Sequence, residues 1–144
     1  MAKEILLIED NPGVELDIKE DLQQYTIRSA AEYAMALDIW ELHSEEIGAI
    51  ILDLRVTSSG MEDSELFSPL YSLAFLAYIF KDKTEQEKKE LKKKIIIYSE
   101  YIGELKDRRR YNDRFKIADG IEMLRKSIEN YPTMIEKVKA ILNK

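Results

Sequence analysis

Ala49-Ile50-Ile51-Leu52-Asp53-Leu54 is the stretch that decides the fold. Its apolar residues follow one another without alternation, so it reads as a strand buried on both faces, as in a parallel sheet. One carboxylate interrupts it. A charge at the end of such a strand is costly unless something answers it. Asp53 therefore reads as a functional residue rather than a surface acid.

Two similar runs lie on either side. Ile5-Leu6-Leu7-Ile8 ends in Glu9-Asp10-Asn11-Pro12-Gly13, and Ile95-Ile96-Ile97-Tyr98 ends in Ser99-Glu100. Tyr25-Thr26-Ile27-Arg28 is β-prone, and Ile121 to Leu124, after Asp119-Gly120, supplies a fifth strand. Helical spacing separates them. Val14, Ile18 and Leu22 recur through Gln24, Ala31 to Leu42 forms a second helix, and Tyr131 to Leu142 forms a closing one. Thr57-Ser58-Ser59-Gly60 reads as a loop. From Met61 a helical pattern runs towards Phe80, and a Lys/Glu-rich stretch continues to Lys94. Ile102 to Tyr111 is polar and helix-like.

Strands alternating with helices imply right-handed crossovers and a parallel sheet covered on both sides. The expected fold is α/β: a flavodoxin-like three-layer α/β/α sandwich with a five-stranded parallel sheet in order 2-1-3-4-5. Residues 1–144 fit a single domain, with extra length between the third and fourth strands at about 66–94.

Composition narrows the function classes. The chain is 45% hydrophobic and 35% charged, which suits a globular core. Its net charge of −6 repels phosphate backbones and argues against nucleic-acid binding. With no cysteine there is no disulfide, thiolate metal site or cysteine nucleophile. His43, the only histidine, has no second histidine or cysteine nearby to share a metal or catalytic role. The start has no signal-peptide core, and Leu66 to Phe80 is too short to span a bilayer and is broken by Ser68, Pro69 and Ser72. A cytoplasmic protein with no membrane association is expected.

In an open parallel sheet, ligands gather beyond the carboxyl ends of the strands where strand order reverses. Glu9, Asp10 and Asp53 converge there if the first and third strands are neighbours. Three carboxylates together call for a hard divalent cation, and Mg²⁺ suits a small oxygen-only site. Taken singly, Asp10 and Asn11 also fit plain helix caps, and Ser99 and Lys126 are unremarkable.

In that order and at those strand ends, Glu9, Asp10, Asp53, Ser99 and Lys126 resemble the receiver domains of two-component response regulators, over nearly the whole chain. Ala118-Asp119-Gly120 is similar to the family's segment before its fifth strand. The resemblance implies phosphoryl transfer to Asp53 from a histidine kinase, a phosphotransfer protein or a small phosphodonor. It also implies Mg²⁺ held by Asp10, Asp53 and the backbone carbonyl of Arg55, with Glu9 orienting a metal-bound water. Lys126 would pair with a phosphoryl oxygen and Ser99 would donate to it. Phosphorylation would then change the surface read by a separate downstream effector.

Departures from the family pattern are local. Ser127 replaces the usual proline after the lysine, Met123 stands where an aromatic is usual, and Lys116 is a second candidate for the lysine. Two other functions stay open: a pseudo-receiver that binds partners without phosphate, and a small Mg²⁺-dependent phosphohydrolase. The apolar residues between Leu66 and Phe80 cover more than one side of a helix, which fits either internal burial or a homodimer surface. Lys106-Asp107-Arg108-Arg109-Arg110 reads as a solvated run or a docking patch for an acidic partner.

Overall fold

In the computed structural model, which describes residues 2–54, 70–103, 105 and 113–144, the three apolar runs lie side by side. They form β1 (Glu4–Ile8), β3 (Ile47–Leu52) and β4 (Ile95–Ser99). Two shorter strands, β2 (Ile27–Ala30) and β5 (Glu122–Arg125), flank them. The sheet is parallel throughout, in the order β2-β1-β3-β4-β5. Ile8 pairs with Leu52 and Leu52 with Ile97, so β1 and β3 end level while β4 runs two residues further, to Ser99.

Alternation sorts the side chains into two cores. Ile5, Leu7, Ala49, Ile51, Ile96 and Tyr98 face one layer, made by α1 (Pro12–Asp21) and α5 (Asn130–Leu142). Leu6, Ile8, Ile50, Leu52, Ile95 and Ile97 face the other. That second layer holds α2 (Tyr33–His43), α3 (Leu70–Phe80) and a 3-10 helix at Asp113–Ala118, with α4 (Glu85–Lys92) against it through Leu91. Both faces are covered, which is why these strands carry no polar alternation. Gly48 is required by a close approach: a Cβ there would overlap the carbonyl of Ala2.

The helical pattern leading to Lys94 is two helices rather than one. The chain turns after Phe80, with Asp82 in the left-handed region at φ 62°. Thr84 then starts α4 with a capping box, its hydroxyl accepting from Glu87 N–H at 3.1 Å while Glu87 accepts from Thr84 N–H at 2.9 Å. In α3, Leu73, Phe75, Leu76, Ile79 and Phe80 are buried, and among the described side chains, 72–80, Ala74 and Ala77 are the exposed ones. The extra apolar residues of this described part go inward, against α2 and the 3-10 helix.

Smaller shifts occur at the edges. β2 begins two residues later than expected and β5 one residue later, β3 starts and stops two residues earlier, leaving Asp53 and Leu54 beyond its end, and α1 stops at Asp21, where Leu22 N–H closes the last turn on Ile18. Arg55, the Thr57–Gly60 loop, the helical pattern over 61–69 and the basic run 106–110 lie outside the described residues. Among the described residues no helix is long and apolar enough to cross a membrane.

Candidate functional site

β1, β3 and β5 deliver the site. Glu9 follows β1 directly, Asp53 follows β3, and Lys126 follows β5. Because β1 and β3 end level, Glu9 and Asp53 leave the sheet side by side, and Asp53 N–H donates to Ile8 O at 3.0 Å. Lys126 is anchored through its own N–H, which donates to Ser99 O at 3.1 Å. Its ammonium then reaches across the strand ends and donates to Asp53 Oδ2 at 3.0 Å and to Glu9 Oε1.

Burial makes these contacts matter. Glu9 is 3% exposed, Asp53 5%, and the Lys126 side chain 13%. Asp10 completes a group in which Glu9, Asp10 and Asp53 offer carboxylate oxygens all within 4.8 Å of one another. Burial pushes the Glu9 carboxyl up to about 9, and Asp53, through its hydrogen bond and its charge, pushes the same way. Lys126 opposes that shift without overcoming it. Burial works to lower the Lys126 pKa, but Asp53 and Glu9 together outweigh it and hold the lysine raised.

The donor set fits a small hard cation. The group is oxygen-only, and Glu9 Oε2 is buried without a hydrogen-bond partner. Glu9 is raised first by its burial and then by the Asp53 carboxyl beside it.

The two readings of Asp10 and Asn11 divide between the residues. Asn11 is the cap of α1, its Oδ1 accepting from Gly13 N–H at 2.9 Å and Val14 N–H at 3.3 Å. Asp10 belongs to the acidic group. Ser99 is fully buried at the end of β4, where its hydroxyl accepts from Tyr101 N–H at 3.2 Å. It joins the pocket through its carbonyl, which accepts from Lys126 N–H. Lys116, the second candidate, is exposed on the 3-10 helix, and Lys126 is the lysine that meets the acids.

Ser127 does more than fill the place of a proline. Its hydroxyl accepts from Asn130 N–H at 3.0 Å and its carbonyl from Tyr131 N–H at 3.1 Å, which caps the start of α5. Tyr98 hydroxyl donates to the same carbonyl at 3.3 Å. No peptide bond is cis among the described residues. Met123 packs partly buried against the α2/α3 core, whereas Tyr98 faces the α1/α5 core. Ser72 was not marked by sequence reasoning as part of a site. It is buried, with its hydroxyl on the carbonyls of Asp53 and Leu54. The signal was a serine inside an otherwise apolar and aromatic helical stretch.

No protein-family model matches the chain, and no curated protein matches it. Solved structures do. A CheY-like receiver domain protein from Methanospirillum hungatei superposes with a TM-score of 0.64 at 18% identity, over 99% of this chain and 95% of that one. The fold is that of response-regulator receiver domains. The response regulator TrrA from Thermotoga maritima, solved with Mg²⁺ and BeF, matches the receiver fold of this chain at 28% identity and a TM-score of 0.59. The match covers 97% of this chain and 99% of TrrA. TrrA in complex with the histidine kinase ThkA matches equally, at 28% identity and 0.59, over 97% and 98%.

Proposed function

We propose that this chain is a phosphorylation-dependent signalling switch whose phosphoryl acceptor is Asp53. The observation that carries the reading is the buried Lys126 ammonium bonded to both Asp53 and Glu9, with Asp10 beside them. Similarity to TrrA, solved both with Mg²⁺ and BeF and with a histidine kinase, supports it. Residues 1–144 act as one receiver-like unit, with the added length at 66–94 carrying α3 and α4. The setting is the cytoplasm, the donor is a histidine kinase, a phosphotransfer protein or a small phosphodonor, and the output passes to an effector protein.

In the transfer, an Asp53 carboxylate oxygen attacks phosphorus. The new P–O bond forms as the donor's P–N or P–O bond breaks, and the leaving group departs with the bonding electrons. Lys126 holds Asp53 in line and neutralises charge gathering on the phosphoryl oxygens. Glu9 and Asp10, with Asp53, would hold Mg²⁺, which supplies further charge neutralisation when bound. Ser99 then turns from Tyr101 N–H to donate to the phosphoryl group and moves the segment after β4.

Wild type and Asp53→Asn, incubated with acetyl phosphate and Mg²⁺, test this by intact mass. Wild type gains one phosphoryl group and the variant none. A wild type that stays unmodified, and whose NMR spectrum is unchanged by beryllofluoride, overturns the reading. A pseudo-receiver remains the second reading because Ser127 and Met123 replace the family's usual residues. It would bind its partner equally as wild type and as Asp53→Asn, with or without phosphodonor.

A further inference from the structure

Ser72 is 1% exposed, set among Leu73, Phe75 and Leu76 on α3. Its hydroxyl lies 2.9 Å from Asp53 O and 2.9 Å from Leu54 O. Those two residues come after the last β3–β4 pair, Leu52 with Ile97, and both are buried. Carbonyls so placed need a donor from outside the sheet ladder. The Ser72 hydroxyl has one proton, and it shares that proton between them. On the other side, Asp53 N–H is tied to Ile8 O, one residue before Glu9. The peptides that aim the Asp53 carboxyl are therefore gripped twice, by β1 and by α3.

We infer that Ser72 is a positioning residue, whose hydroxyl fixes the direction of the Asp53 carboxyl by clamping the two carbonyls that follow it. The inference rests on Asp53 being the phosphoryl acceptor. The contact spans nineteen positions of sequence, so it transmits the placement of α3 to the acceptor. α3 is well placed to serve as that reference, because Phe75, Leu76 and Ile79 seat it in the core. Nothing about Ser72 touches the reacting phosphorus. Its effect belongs to alignment, which governs the rate of an in-line attack more than the binding of the donor.

The test compares Ser72→Ala, Ser72→Cys and Ser72→Thr with wild type, using acetyl phosphate and saturating Mg²⁺. Val138→Ala serves as a stability control, since Val138 is buried in the opposite, α1/α5 core. Ser72→Ala lowers the limiting phosphorylation rate about 10- to 100-fold, as a small misplacement of a reacting group does. The half-saturating phosphodonor concentration moves less than about threefold, as expected when alignment rather than binding is lost. Ser72→Thr, which keeps the hydroxyl, restores the rate, and Val138→Ala retains it. Ser72→Cys, a weaker donor of similar size, falls between and carries the comparison if the alanine variant does not fold. Wild-type rates in folded Ser72→Ala or Ser72→Cys overturn the inference. So does a Val138→Ala that slows as much as Ser72→Ala. A wild type that takes no phosphoryl group overturns the acceptor reading itself, a result visible before any variant is compared.

Discussion

Nζ of Lys126 stands 3.0 Å from Oδ2 of Asp53, and the same ammonium donates to Glu9. A cation from the end of β5 thus spans two acids from the ends of β1 and β3, in a pocket where water screens little. This bridge is the point at which the strands of the sheet become one chemical unit.

Lys126→Met leaves crowded buried carboxyls without their bonded lysine. Lys126 is raised in the folded protein, so its stabilising effect is fully present below its unfolded value near 10.5 and is lost as pH rises through the folded value. At pH 8 the variant is therefore expected to lose about 3 kcal/mol, as when one partner of a buried pair is removed. Urea unfolding at that pH, without divalent cation, measures it. A loss indistinguishable from zero contradicts the bridge.

Glu9, pushed up to about 9 from 4.5, holds a proton in the folded chain that the unfolded chain releases across that window. Metal-free stability at this group therefore falls as pH climbs from 4.5 to 9. Mg²⁺ requires the ionised carboxylate, so its binding at pH 7 expels close to one proton. Affinity gains up to about tenfold per pH unit between 6 and 8, a slope that Glu9→Gln flattens. Titration calorimetry in buffers of differing protonation heat counts the protons. A pH-independent affinity in wild type contradicts the assignment.

The legible parts of the sequence were those where one demand dominated. β1, β3 and β4 are buried on both sides, so their apolar runs left no other reading, and Asp53 and Glu9 stood out as acids at strand ends, whereas Lys126 drew notice only as a member of the set. β2 and β5 were displaced by one or two residues because edge strands are half exposed and carry mixed patterns such as Ile27-Arg28-Ser29-Ala30. The break between α3 and α4 was written as Thr84-Glu85-Gln86-Glu87, a capping signature submerged in a run of charges. Ser72 could not be placed from sequence, since its role exists only once α3 lies against the end of β3.

Ser127→Ala removes the hydroxyl that caps the start of α5. The expected cost is about 1 kcal/mol, typical of a lost cap. For a domain of this size that corresponds to a melting temperature lower by about 3 °C, readable by calorimetry. An unchanged melting temperature means that the cap contributes nothing.

α3 distinguishes inward from outward positions within one turn. Phe75→Ala opens a cavity and is expected to cost about 3–5 kcal/mol. Ala74→Lys, on the exposed side, stays within about 0.5 kcal/mol of wild type. Paired urea titrations at several protein concentrations settle both. If Ala74→Lys were strongly destabilising and concentration-dependent, that side would be occupied by a second copy.

The rims of the sheet carry a final consequence. β5 begins with Glu122 and ends with Arg125, and at the far side Arg28 of β2 donates to Glu4 of β1 at 2.6 Å. An intruding strand docking along either border would have to strip hydration from fixed ions before gaining any backbone bonds. The same short, ionic margins that blur the strand limits in the sequence thus guard a very apolar interior against fibril growth.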